Sequence, residues 1–281
     1  MTLEDATRVL ADAGIESPRA EARLLLAAAM GVSRDRTLTA APTPEQADRF
    51  AAFVGRRAAR EPFAYITGRK EFWSLDLEVG PGVLVPRPDT ETLIEQALRL
   101  VPDPGAPLRI ADLGTGSGAI LLAALAAFPH ATGIGFESSP AAHAWASRNA
   151  ARHAPGRAEI RLADWNTADR GFDLVFSNPP YIPSGDIAGL APEVAAHEPR
   201  AALDGGPDGL DAYRALGGLL PALLVPGGHA LLEIGIGQAG AVEPLFPGLE
   251  PLGITPDLGG VPRCLILRKP QDFLGKPGGL G

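Results

Sequence analysis

The chain has 281 residues, enough for one large domain or a domain with a smaller companion, and 46% hydrophobic against 21% charged residues supply a buried core. A formal charge of −8 argues against the basic face with which tight duplex binders neutralise phosphates, so no direct nucleic-acid partner is expected. The single cysteine, Cys264, excludes an intramolecular disulfide, no apolar run approaches the ~20 residues of a membrane helix, and the start Met1-Thr2-Leu3-Glu4-Asp5 lacks a basic-then-apolar signal; a cytoplasmic monomer is expected.

Residues 1–70 read as a small helical domain. Apolar and polar residues alternate at helical spacing from Thr2 to Ala13. Ser17-Pro18 followed by Glu21 carries a cap, a first-turn proline and a first-turn acid; that helix runs through Leu24, Leu25, Leu26 and Met30 and stops at Gly31. Thr43-Pro44-Glu45 repeats the start signal ahead of Phe50, Phe53 and Val54. A connecting unit, 71–105, follows. Period-two alternation from Trp73 to Val79, the turn Gly80-Pro81-Gly82 and the run Val83-Leu84-Val85 predict a β-hairpin. Pro86-Arg87-Pro88-Asp89-Thr90-Glu91 leads into a helix through Leu93, Ile94, Ala97 and Leu98.

From 106 to 270 strands and helices alternate. Strands are predicted at Leu108 to Leu113, Thr132 to Phe136, Glu159 to Leu162, Phe172 to Ser177, His229 to Ile234 and Arg263 to Leu267; helices at Ala119 to Phe128, Ala141 to Ala151 and Tyr213 to Leu224. This order implies an α/β domain, a largely parallel, Rossmann-like sheet with helices on both faces and ligands beyond the carboxyl ends of its strands. The remaining residues, 271–281, have little to bury and are expected to form a mobile tail.

Asp112-Leu113-Gly114-Thr115-Gly116-Ser117-Gly118 joins the first of these strands to its helix. Glycines there let a ligand approach the backbone, but the third comes one place earlier than in the dinucleotide pattern, and Asp112 suits a cationic or amino-bearing ligand better than a pyrophosphate. Glu137, at the end of the second strand, offers two acceptor oxygens to ribose hydroxyls; Asp164-Trp165, after the third, offers an indole face to an adenine ring. Taken singly, Glu137 also reads as a solvated acid and Trp165 as core. Their order and strand placement join them into one site. S-adenosyl-L-methionine, with an ammonium, a sulfonium and no phosphate, fits it, with S-adenosyl-L-homocysteine as the demethylated form.

The fourth strand runs into Asn178-Pro179-Pro180-Tyr181. Asn178 carries an acceptor and a donor, the prolines fix a loop whose carbonyls stay free, and Tyr181 supplies a flat ring for stacking. Such a loop suits a planar NH2 group: the Asn178 side-chain oxygen and the Pro179 carbonyl can hold both hydrogens and turn the nitrogen lone pair toward a methyl donor. The histidines at 130, 143, 153, 197 and 229 lack metal-ligand spacing, and no metal is expected. His143 and His153 are expected on the exposed side of one helix and in the loop after it.

The glycine loop with Asn178-Pro179-Pro180-Tyr181 resembles class I amino methyltransferases, a group that includes adenine-N6 and protein-glutamine enzymes. Pro62-Phe63-Ala64-Tyr65-Ile66-Thr67-Gly68, Glu71-Phe72-Trp73, Val85-Pro86-Arg87-Pro88-Asp89-Thr90-Glu91, Glu198-Pro199-Arg200-Ala201-Ala202-Leu203 and Gly205-Gly206-Pro207-Asp208-Gly209-Leu210 narrow the likeness to the release-factor glutamine N5-methyltransferases, along nearly the whole chain. The resemblance implies a cofactor site at Gly114 to Gly118, Glu137, Trp165 and Asn178, and a substrate site at Asn178, Pro179, Pro180 and Tyr181. It implies methylation of the glutamine in a Gly-Gly-Gln loop of release factors, recognised in part by the N-terminal helices. Glu137 stands where aspartate is more usual and keeps the same two acceptors. A ribosomal-protein glutamine and a nucleic-acid adenine remain the alternative targets. Arg87 and Glu91 are open between shaping the substrate channel and fixing the domain junction.

Overall fold

A computed structural model describes residues 1–271. The expected mobile tail therefore lies, apart from Gln271, outside the described residues. Three helices open the chain: α1 (Leu3–Asp12), α2 (Pro18–Met30) and α3 (Pro44–Ala58). Capping boxes start α1 at Thr2, with Asp5, and α3 at Thr43, with Gln46, each satisfying two otherwise orphaned backbone donors. Ser17 precedes Pro18 but makes no side-chain cap, so proline at the first turn carries that start. The apolar faces of the helices meet in their own core of Leu10, Ile15, Leu25, Phe50, Val54 and Ile66. A short helix, α4 (Phe63–Thr67), follows.

The hairpin lies earlier than its alternation suggested. Its strands are β1 (Arg69–Phe72) and β2 (Leu75–Glu78), paired antiparallel, and Trp73 and Ser74 make the turn. Both turn residues have positive φ, 50° and 61°, which two-residue hairpins require but which asparagine and glycine usually provide. Two carboxylates hold the turn: Glu71 accepts from Ser74 N–H at 2.6 Å and Glu91 from Trp73 N–H at 2.9 Å. Val83 and Val85 are not strand residues; they pack with Ala64, Tyr65, Val79 and Ala142, between the helical unit and the sheet.

After α5 (Thr92–Leu100) come β3 (Arg109–Leu113), α6 (Ala119–Ala127), β4 (Thr132–Glu137), α7 (Pro140–His153), β5 (Ala158–Leu162) and β6 (Phe172–Ser177). A short helix α8 (Pro192–His197), then α9 (Asp211–Leu223), β7 (Leu224–Glu233), a turn of helix α10 (Ala239–Val242), β8 (Glu250–Pro256) and β9 (Pro262–Arg268) complete the described chain. The seven strands lie in the order β5-β4-β3-β6-β7-β9-β8. The first five are mutually parallel and β9 is antiparallel to both neighbours. Sequence order reverses across β3, with β4 on one side and β6 on the other, so this fold places its crevice beyond the carboxyl ends of β3 and β6. One face packs on Leu93, Ile94, Leu121, Leu125 and Phe128; the other on Tyr213, Leu216, Leu220 and Phe246.

His143 and His153 depart from expectation. Both lie within α7 and are half-buried, with ring nitrogens 3.2 Å from the Ile160 carbonyl and 3.0 Å from the Asp76 carbonyl. No helix among the described residues is long and apolar enough to cross a membrane.

Candidate active site

A cavity opens at the predicted crevice. Gly114, Thr115, Gly116 and Ser117 form one wall, Glu137, Ser138 and Ser139 another, and Trp165 stands beside Gly114. Phe72, Val83, Leu84, Ile120 and Ala142 supply apolar surface; Asn178 and Pro180 close the end nearest β6, with Arg87, Thr90, Pro199, Ala201 and Ala202 around the rim.

The loop after β3 bends sharply because Gly114, Gly116 and Gly118 all sit at positive φ (75°, 58° and 85°), where a β-carbon would be strained. The Gly114 and Thr115 N–H groups both donate to the Phe136 carbonyl, tying the loop to the end of β4. Asp112 holds the loop from below: Oδ2 accepts from the Thr115 hydroxyl at 2.6 Å and from Leu121 N–H at 3.3 Å. Asp112 is fully buried and does not line the cavity, and its Oδ1 has no partner among the described residues. Burial pushes its carboxyl up to about 7, against the opposing pull of those two bonds.

Glu137 does face the cavity. Its Oε2 accepts from Gly116 N–H at 2.9 Å and its Oε1 from Ser139 N–H at 2.8 Å, so the carboxylate is fixed while each oxygen keeps a lone pair for a ligand hydroxyl. Trp165 is half-buried on the cavity wall, whereas Asp164 is exposed, lies outside the lining and caps the turn through Asn166 N–H. Among the described lining residues Arg87 is the sole cation, and Glu198 pairs with it at 2.6 Å. An apolar trough with one free-facing carboxylate and no uncompensated cation suits a nucleoside carrying positive charge, not a phosphate. The site thus fits S-adenosyl-L-methionine.

At the end of β6 the Ser177 hydroxyl donates to the Leu113 carbonyl at 2.7 Å, binding the reacting loop to the glycine-loop strand. Asn178 points its amide nitrogen at the Thr90 hydroxyl, 3.4 Å away. Thr90 in turn donates to Glu233 Oε2 at 2.5 Å, and the Tyr181 hydroxyl donates to Glu233 Oε1 at 3.1 Å. Glu233 ends β7 and is 1% exposed. Burial raises its pKa; Thr90, the Arg263 charge and Tyr181 oppose that rise. Pro179 and Tyr181 do not line this cavity: the Tyr181 ring packs against the sheet core, and burial and Glu233 push its phenol up.

Sequence reasoning placed Gly114 to Gly118, Glu137, Trp165 and Asn178 in one site, and the structure brings them to one cavity except Gly118, which is buried outside its lining. It passed over Thr90 and Glu233. The signal for Glu233 was a lone acid at the end of an otherwise apolar parallel strand, Ala230-Leu231-Leu232-Glu233-Ile234. Of the two residues left open, Arg87 both lines the cavity and pairs with Glu198, while Glu91 braces the hairpin turn.

The sheet order and this site define a class I methyltransferase fold. The 16S rRNA N2 G1207 methyltransferase of Thermus thermophilus shares that fold, at a TM-score of 0.50 and 20% identity over 72% of this chain and 49% of that one. Residues 2–68 match the PrmC N-terminal domain and residues 91–203 the methyltransferase small domain. Release factor glutamine methyltransferase of Rhodospirillum rubrum is 49% identical over 92% of this chain and 81% of its own, and that of Cereibacter sphaeroides is 45% identical over 96% and 99%. The chain belongs to the release factor glutamine methyltransferase family.

Proposed function

We propose that this enzyme transfers a methyl group from S-adenosyl-L-methionine to the side-chain amide nitrogen of the glutamine in the Gly-Gly-Gln loop of peptide chain release factors, as a cytoplasmic monomer. The observation that carries the reading is the placement of Asn178, a paired acceptor and donor, at the rim where the glycine loop and β6 meet. The bound cofactor supplies an electrophilic methyl on a sulfonium.

The chain's own residues supply position. Gly114 to Ser117 admit the ligand to the backbone, Glu137 accepts from its ribose hydroxyls, and Trp165, Ile120 and Ala142 flank its base. An amide nitrogen is a poor nucleophile because its lone pair is delocalised. Accepting a hydrogen at the Asn178 oxygen, with the Pro179 carbonyl turning in from outside the present lining to take the other, favours the pyramidal nitrogen whose lone pair can attack, and the positive charge that then forms on nitrogen leaves as a proton. In this reading Pro180 walls the substrate entrance and Tyr181 supports the loop.

The helical unit, 1–70, recognises the release factor. A groove between it and α8, edged by Ile15, Phe63, Lys70 and Val194, ends at Arg87, which also lines the cavity. The test is methyl transfer from labelled cofactor to purified release factors, with the Gly-Gly-Gln glutamine intact or changed to alanine. Labelling that requires the glutamine and drops at least a hundredfold in an Asn178→Ala enzyme is expected. A folded, cofactor-binding enzyme that leaves unmethylated release factors unlabelled would exclude this substrate and turn attention to a ribosomal-protein glutamine or an adenine.

A further inference from the structure

The reaction proposed above depends on which way the Asn178 amide faces, because oxygen and nitrogen occupy similar volumes and only the oxygen can accept a substrate hydrogen. Asn178 lies at a rim, and nothing in its own chemistry prevents a half-turn of the amide. The hydrogen-bond chain behind it does.

Glu233 is buried at the end of β7, and its two oxygens each meet one hydroxyl, that of Thr90 at 2.5 Å and that of Tyr181 at 3.1 Å. Both glutamate oxygens act as acceptors in these bonds, and the Arg263 guanidinium, bonded to Asp257 and Asp89, lends the site positive charge. Thr90 has a single proton, and it is committed to Glu233. The Thr90 oxygen can therefore offer Asn178 only a lone pair, and the Asn178 group that faces it must be the NH2. The carbonyl oxygen is then left for the cavity that Asn178 and Thr90 both line. The polarity of the chain is set at the carboxylate and passed through one hydroxyl.

We propose that Thr90 and Glu233 are positioning residues that fix the orientation of the Asn178 amide, presenting its oxygen to the substrate amide. Neither needs to touch the substrate. This rests on the methyl-transfer reading, and the test separates the two.

Thr90→Val keeps the shape and removes the relay; Thr90→Ser keeps the relay. With release factor as acceptor, Thr90→Val is expected to lower kcat at least tenfold, to leave S-adenosyl-L-homocysteine affinity close to that of the wild type, to lower the thermal midpoint because buried Glu233 loses a donor, and to be largely rescued in Thr90→Ser. In an Asn178→Ala background the Thr90→Val change should cost no more than about twofold further, since Thr90 acts only through Asn178. A wild-type kcat in Thr90→Val, or an equal loss with and without Asn178, overturns the proposal while leaving the methyl-transfer reading intact. Failure of the wild type to label the glutamine overturns the reading itself.

Discussion

Replacing Glu137 with glutamine turns one acceptor into a donor on the wall of the candidate cofactor cavity. In the wild type both oxygens are engaged, Oε2 by Gly116 N–H at 2.9 Å and Oε1 by Ser139 N–H at 2.8 Å. A glutamine side chain can accept from only one of these; the other N–H then faces an NH2 group. A hydrogen bond to a charged group contributes ~1.5–3 kcal/mol, and a donor stranded away from water costs ~1–3 kcal/mol. Gly116 and Ser139 are half-buried, so water relieves the stranded N–H in the free protein and not beneath a bound ligand. Glu137→Gln is therefore expected to lose about 1 kcal/mol of folding stability and ~1.5–3 kcal/mol of cofactor affinity, or roughly 10–150-fold in Kd. Titration calorimetry with S-adenosyl-L-homocysteine and urea denaturation measure the two. Glu137→Asp, which retains both acceptors, should lose less affinity than the glutamine variant. Binding by Glu137→Gln within threefold of the wild type would refute the assignment of this carboxylate to the ligand.

Two further outcomes follow from buried charge. Asp112 has a folded-state pKa of about 7, above its ordinary 3.8, so between these values the folded protein holds a proton that the unfolded chain releases, and Asp112's contribution to stability falls as pH rises through that window. Asp112→Asn keeps an acceptor for Thr115 and Leu121 and should flatten that slope in urea titrations between pH 4 and pH 8; an unchanged slope would show that Asp112 is ionised throughout. Glu193 is shared by Arg57 and Arg60 at 2.9 Å each, joining α8 to α3 and the residues after it. Glu193→Ala leaves the largely buried Arg57 with Glu21 as its one remaining acid partner among the described residues, and is expected to cost ~1–3 kcal/mol and to raise amide exchange in α1 to α3; wild-type exchange there would mean that apolar contacts alone hold the junction.

Local chemistry made much of this legible beforehand. Thr2 and Thr43 start helices by bonds within three residues, and the glycine loop announces itself by backbone geometry that other residues adopt at a cost. The misses have physical causes. The hairpin turn at Trp73-Ser74 adopts positive φ without asparagine or glycine, because Glu71 and the distant Glu91 hold its N–H groups. The strand β8 reads Glu-Pro-Leu-Gly-Ile-Thr-Pro and lies at the sheet edge, largely exposed, so it carries neither an apolar alternation nor a strong strand composition. Thr90 and Glu233 are 143 residues apart, and their bond exists only because α5 and β7 pack together.

The segment from Val83 to Glu91 explains why the cavity and the helical unit form one working structure. The Tyr65 hydroxyl, from α4, donates to the Val83 carbonyl at 2.5 Å; Arg87 reaches Glu198, just past α8; Thr90 reaches Glu233 on β7; and Glu91 holds the hairpin turn. Val83, Leu84, Arg87 and Thr90 line the cavity directly. Methyl transfer to a weak nucleophile relies on placement, and an error of about 1 Å can cost ~10²-fold in rate. A segment whose only regular structure is a short 3-10 turn at Pro88–Glu91 would ordinarily be too soft to hold such a geometry. Here its flexibility is removed at four points, each by a polar bond to a different element, so the cavity wall is already fixed relative to Asn178 before any substrate arrives.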